Sequence, residues 1–325
     1  MENIKTDDKK RTLFGILLGV IVGIAWGLDG VLMGQVGKSP IFETFQLSPL
    51  VTALFHDGFA FVWIALVLAF SKDLKHVFYL LFKTKKGKAS AVAALVGAPI
   101  GMSAYLLGIK YAGVSYASSI SVIYPGVGAL LSYLVLKEKL NVRAIIGICI
   151  SLLGSFMLGF NPSGDVSDTF SQGVMFAGVA VLGWAFEGVI VGFAMKHIKD
   201  EDDIKSTPQQ FLCLRYFISL VSYSIIVPVI GGTQVAMDIV SSGLVFNYAG
   251  IAILGAITYL AWYKAVDLVG AAMGTALNST SCLWSMIFGS LLFGNVITPS
   301  LAFWGFIIVV GVFVFAIDPK MFKKN

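Results

Sequence analysis

The sequence predicts an all-α polytopic membrane protein whose ten transmembrane helices form two inverted five-helix repeats. Three observations carry that prediction: an extreme apolar bias, a succession of apolar runs about twenty residues long, and an internal motif that recurs at a fixed offset. Of the 325 residues, 57% are hydrophobic and only 13% charged, and the mean hydropathy is +0.87. Ordinary soluble domains carry about 25% charged residues, so a water-soluble enzyme is excluded as a class. The 35 glycines exceed the usual share of ~7%, which in an apolar chain points to closely packed membrane helices. Cys149, Cys213 and Cys282 all sit within apolar runs and form neither a disulfide framework nor a zinc-ligand spacing.

A helix needs about 20 apolar residues to cross a ~30 Å hydrocarbon core, whereas barrel strands alternate over ~10. The runs here do not alternate. In order they are Leu13 to Gly37, Leu50 to Phe70, Ala89 to Ile109, Val114 to Leu136, Val142 to Phe160, Gln172 to Lys196, Pro208 to Ile230, Tyr248 to Lys264, Ala271 to Phe293 and Ser300 to Ile317. The first follows a basic stretch as a secretory signal would, but its length and its counterpart later in the chain mark it as a retained helix. It carries Gly15, Gly19, Gly23 and Gly27 at every fourth position, extended by Gly30 and Gly34, a stripe suited to close helix packing. Pro99 in the third run and Pro125 in the fourth each remove a helix hydrogen bond and predict kinks. The chain thus divides into an N-terminal tail (1–12), a first repeat (13–160), an external linker (161–171), a second repeat (172–317) and a C-terminal tail (318–325).

Lysine and arginine accumulate in cytoplasmic loops. With the N-terminus inside, 20 of the 23 basic residues fall on the cytoplasmic side, including the dense stretch Lys72 to Lys88, while Lys38 and Lys110 are external and Arg215 lies within the seventh helix. Both termini are therefore expected in the cytoplasm. The net charge of +5 is spread over separate loops and forms no single basic patch, so nucleic acid is not an expected partner.

The internal echo is specific. Trp26-Gly27-Leu28-Asp29-Gly30-Val31 returns as Trp184-Ala185-Phe186-Glu187-Gly188-Val189 at an offset of 158, and Tyr105-Leu106 with Lys110 returns as Tyr259-Leu260 with Lys264 at 154. A duplication of five helices, an odd number, places the two halves in opposite orientations. Inverted repeats of this kind are the plan of secondary transporters, with a substrate site near the midplane.

A carboxylate at bilayer depth costs ~2.5 to 3.5 kcal/mol on insertion scales. Asp29, Asp57 and Glu187 therefore each call for water, a partner or a cationic ligand. Arg215 is either the partner of one of them or a side chain that snorkels to the interface. His56 beside Asp57 is either a proton relay or outer gate, or a hydrogen-bonded helix terminus. Trp26 and Trp184 stand three residues before Asp29 and Glu187, on the same helical face. A ring beside a carboxylate suits an alkylated ammonium, because the ring face attracts the cation and the carboxylate balances its charge. Tyr124 and Trp284 also fall near the middle of their spans, and Tyr105, Tyr259, Trp262 and Tyr263 are candidates to complete such a box. Simple helix packing is the competing explanation for each aromatic. No P-loop, G-x-S-x-G or HExxH motif occurs, so neither an enzyme nor an ATP-driven pump is indicated.

Ten helices in two inverted halves resemble the drug/metabolite transporter superfamily, of the EamA type, over nearly the whole chain. The similarity is more pointed to the bacterial choline permeases of the phosphocholine-decoration (lic) locus. It runs through Gly97-Ala98-Pro99-Ile100-Gly101-Met102, Lys110-Tyr111, Ala117-Ser118-Ser119, Tyr124-Pro125, His56-Asp57, the Trp184 and Glu187 spacing, and Leu277-Asn278 followed by Trp284. The resemblance implies an aromatic box for a quaternary ammonium on Trp26, Tyr124, Trp184, Glu187, Tyr259 and Trp284. Asp29 and Tyr105 stand where those permeases carry Gly and Asn, which implies a more acidic or differently shaped pocket. The function so implied is import of choline or a related alkylammonium cation by alternating access. The competing reading is an exporter of amino acids or other small metabolites, proton-coupled through its carboxylates. No cofactor or metal is implied. The expected partners are a small cationic substrate and the lipid bilayer, with a homodimer left open.

Overall fold

A computed structural model of the chain describes residues 2–137, 141–160, 167–198, 207–269 and 277–316. Those residues are helical, with no strand among them. Fourteen α-helices are labelled in chain order: α1 (Glu2–Val36), α2 (Ser48–Phe70), α3 (Leu74–Lys83), α4 (Lys85–Leu95), α5 (Ser103–Ala112), α6 (Val114–Ser121), α7 (Tyr124–Leu136), α8 (Val142–Phe160), α9 (Phe170–His197), α10 (Pro208–Val229), α11 (Thr233–Ser241), α12 (Leu244–Val269), α13 (Ser281–Phe293) and α14 (Pro299–Ala316). By length and composition, seven segments of the described residues can cross a membrane; Val142–Leu158, Ser281–Phe293 and Pro299–Phe315 are shorter apolar helices. The chain is thus a helical multi-pass membrane protein. Large apolar side chains stay exposed on its outer faces, among them Phe70, Leu134, Phe246 and Leu291, as lipid contact permits.

Most expected runs return with shifted ends. The first helix begins at Glu2 instead of Leu13, because the polar start keeps helical backbone without needing burial. The ninth run was expected from Ala271, but residues 270–276 lie outside the described residues, as do most of the 161–171 linker and the C-terminal tail. The fourth run is two helices. It breaks at Val122–Ile123, and α7 restarts with Pro125 in its first turn, where a missing N–H costs nothing. At Pro99 the third run widens into a π-helical turn, Val96–Met102, the form a helix takes when one residue too many is accommodated.

The basic stretch 72–88, expected as a loop, instead holds α3 and the start of α4. Val77 and Leu80 share one face of α3 and are buried against Leu68 of α2 and Leu212 of α10, while Lys75 and Lys83 remain exposed. Amphipathic spacing makes this a surface helix. Thr84 caps α4, its hydroxyl accepting from the Gly87 N–H at 2.9 Å, and Gly87 packs against the Leu80 carbonyl so closely that a Cβ would collide with it.

Glycine sets the central helix contacts. A Cβ on Gly27 would lie 2.8 Å from the Ser281 carbonyl oxygen, Gly19 and Gly23 pack on Leu277 and Thr280, and Gly30 and Gly34 turn toward Tyr105 and Ile109. The stripe on α1 therefore serves helix packing, bringing α13 to backbone distance and seating α5 side chains against it. The largest core lies toward the end of the bundle where α1 finishes, where Val31, Val51, Tyr105, Tyr223, Val227 and Tyr248 are buried together.

Candidate functional site: an aromatic and acidic cluster

The site forms where α1, α9, α10 and α12 meet the π-helical turn and α7. Trp184 on α9 is 9% exposed. Its Nε1–H donates to the Gly97 carbonyl in the π turn at 3.1 Å, and its ring lies between Tyr105 (5.2 Å between centroids) and Tyr124 (5.8 Å, edge-on). Close approach here depends on Gly97, Gly101 and Gly183: a Cβ on Gly97 would fall on the Glu187 carboxylate, one on Gly101 within 3.0 Å of the Trp184 ring, and one on Gly183 within 2.9 Å of Gly101.

One turn beyond Trp184, Glu187 accepts a hydrogen bond from the Arg215 Nε–H of α10 at 2.8 Å. The two side chains are 15% and 12% exposed. The Arg215 guanidinium also lies over the Tyr216 ring at 5.3 Å and the Tyr259 ring at 5.9 Å. Arg215 therefore does not snorkel; it is paired inside the bundle. Tyr259 in turn meets Trp26 edge-on at 5.7 Å. Trp26, Tyr124, Trp184, Asn278 and Ser281 border a small cavity of about 10 Å³, and Asn278 Oδ1 and Ser281 Oγ are buried without a hydrogen-bond partner. Trp284 stacks on Phe288 at 6.1 Å between centroids, and its Cβ packs against Gly27, next to Trp26.

A second buried cluster sits beside the first. His56 and Asp57 on α2 are each 1% exposed, and Asp29 on α1 is 2% exposed. His56 Nδ1 faces Asp57 Oδ1 at 2.9 Å, His56 Nε2 faces Asp29 Oδ1 at 3.2 Å, and the Ser219 hydroxyl donates to Asp57 Oδ2. His56 is thus a bridge between two helices, more than a capped helix end.

The structure brings together Trp26, Tyr105, Tyr124, Trp184, Glu187, Tyr259 and Arg215 in one contiguous cluster, with Asp29, His56 and Asp57 adjoining. The two halves of the sequence echo make matching contacts. Trp26 packs on Tyr259 as Trp184 packs on Tyr105, and Asp29 is held by His56 of the next helix as Glu187 is held by Arg215. Sequence reasoning alone does not reach Ser219, whose role appears only when α10 is laid on α2. Gly97 and Asn278 stand within the motifs that carry the family resemblance, but nothing in their spacing assigns them a contact.

A family model described as the EamA-like transporter family matches residues 13–160 and again 171–317. The chain belongs to the EamA-like transporter family. Among curated relatives of this EamA-type transporter, Protein LicB of Haemophilus influenzae is 30% identical over 292 residues, covering 88% of this chain and 91% of that protein. An uncharacterized transporter of Clostridium kluyveri is 26% identical over 272 residues, covering 81% of this chain and 80% of its own. A crystal structure at 16% identity superposes with a TM-score of 0.55, covering 92% of this chain and 95% of that one, and so shares its fold.

Proposed function

We propose that this EamA-type transporter imports choline or a related alkylammonium cation across the bacterial cytoplasmic membrane by alternating access. The observation that carries the reading is the Trp184–Glu187 pair, a carboxylate one turn from an indole, next to Trp26, Tyr124 and Tyr259. Aromatic faces attract a desolvated cation by up to ~2 kcal/mol each, and the carboxylate supplies the counter-charge that a fixed cation needs at bilayer depth. A cavity of about 10 Å³ is room for about one water. Admitting a quaternary ammonium therefore requires the surrounding helices to part, which is the motion that inverted repeats supply.

We read the chain as ten membrane helices, the seven long segments and the three shorter apolar ones, in two inverted halves with both termini in the cytoplasm. The matched contacts of Trp26 with Tyr259 and Trp184 with Tyr105, and the doubled family match, support that plan. The basic bias of the 72–88 segment supports the orientation. The exporter reading would turn Arg215 toward a substrate carboxylate, which would have to displace Glu187.

The experiment is uptake of labelled choline into proteoliposomes. Saturable uptake, reduced by Trp184→Ala, is the expected result. Absence of choline uptake together with export of an amino acid would replace this reading with the metabolite exporter.

A further inference from the structure

An arginine at bilayer depth is expensive, and the cation reading gives Arg215 no task. Its position is specific. The guanidinium meets the Glu187 carboxylate at 2.8 Å and lies over the rings of Tyr216 and Tyr259 at 5.3 and 5.9 Å. One carboxylate and two aromatic faces are the surroundings that a cationic substrate would seek. Tyr259 packs edge-on against Trp26, which borders the small cavity together with Trp184 and Tyr124, so the guanidinium adjoins the box. Glu187 therefore has two claimants, one tethered and one free. Both cannot use it fully, since two positive charges beside a single buried carboxylate repel.

We infer that Arg215 is a tethered competitor for the cation site: an incoming substrate displaces its guanidinium from Glu187, and the return of the guanidinium expels the substrate. The inference rests on the cation reading and assigns to Arg215 the setting of affinity and release. A second carboxylate, already paired with His56 and Ser219, lies nearby. Ser219, one turn further along α10, donates to Asp57, and Asp57 lies within electrostatic reach of Arg215. Residues four apart share a helix face, so Asp57 of α2 lies beside the face of α10 that carries Arg215. An intramolecular occupant lowers apparent affinity by the fraction of time it holds the site. A transporter gains from that, because a site that binds its cargo too firmly does not let it go.

The test compares wild type with Arg215→Gln by calorimetric titration with choline and by proteoliposome uptake. The variant is expected to bind choline about tenfold more tightly, because substrate no longer breaks an ion pair on entry. It is also expected to show a lower KM together with a lower maximal rate, since nothing drives release. A merely structural role would raise KM or leave affinity unchanged, and either result in the folded variant overturns the inference. Should Arg215→Gln fail to fold, the wild type carries its own readout. The chain has three arginines, Arg11, Arg143 and Arg215, so ¹⁵N-arginine labelling gives a sparse spectrum. The Arg215 Nε–H resonance is expected to leave its ion-paired position on saturation with choline; a resonance that stays in place while calorimetry reports binding overturns the inference alone. Wild type that binds no choline overturns the cation reading, and this inference with it.

Discussion

Replacing Glu187 by glutamine separates the charge of the Glu187–Arg215 pair from its shape. The amide keeps an oxygen where Arg215 Nε–H donates at 2.8 Å, so the hydrogen bond survives in neutral form, and the side chain keeps its volume against Gly97. What is lost is the compensation of a cation that is only 12% exposed. For charge centres about 4 Å apart, an effective dielectric near 20 gives ~4 kcal/mol, and the retained hydrogen bond offsets about 1 kcal/mol of that loss. The expected destabilisation is therefore about 3 kcal/mol, at the lower end of the range for breaking a buried ion pair from one side. Removing both charges in Glu187→Gln/Arg215→Gln leaves no orphan, so the double variant should cost less than the two singles together. Unfolding in mixed micelles titrated with sodium dodecyl sulfate, followed by tryptophan fluorescence, supplies the four free energies of the cycle. A coupling below about 0.5 kcal/mol, within the additivity expected of independent sites, would refute the view that these two charges stabilise each other.

The remaining predictions concern recognition, drive and packing. Trp184→Phe removes the donor to Gly97 but keeps a ring between Tyr105 and Tyr124, so KM for choline should rise by a few-fold; Trp184→Ala, losing up to ~2 kcal/mol of cation–π attraction, should raise it roughly thirty-fold in the same uptake assay. Because an inside-negative potential supplies ~2.3 kcal/mol per charge per 100 mV, a valinomycin-induced potential should increase choline uptake, and the neutral isostere 3,3-dimethylbutanol should compete poorly; uptake that ignores the potential, together with an isostere that competes as well as choline, would exclude a cation box. Gly27→Val places a branched side chain where even a Cβ would lie 2.8 Å from the Ser281 carbonyl, so overpacking should cost about 1 to 3 kcal/mol, read as a lowered melting temperature in detergent. A cysteine placed at Lys75, on the exposed face of α3, should react with an impermeant thiol reagent only from the cytoplasmic side; labelling from outside would invert the topology.

Much of the architecture is legible in the sequence because crossing a bilayer is a local property: length and apolarity of a run suffice, and neither depends on neighbouring helices. Pro125 breaks its helix and Pro99 distorts its own for equally local reasons, a missing donor and a steric clash within one turn. The glycine stripe on α1 announces a close partner, although not which one. Local apolarity also has limits, and the basic 72–88 segment hides an amphipathic helix because its inward apolar residues, Val77 and Leu80 among them, count only once α2 and α10 are there to cover them. The site divides along the same line. Its residue types, carboxylates and aromatics paired one turn apart, are visible in the chain, but the sequence leaves open whether Arg215 neutralises Asp29, Asp57 or Glu187, whether it snorkels, and whether Trp284 joins the box. Only the tertiary structure decides that Arg215 takes Glu187, that His56 spans Asp29 and Asp57, and that Trp284 stacks on Phe288. These outcomes depend on the rotation of each helix about its axis and on its depth relative to the others. Both are set by glycine-mediated contacts between segments far apart in the chain, and no local pattern fixes them.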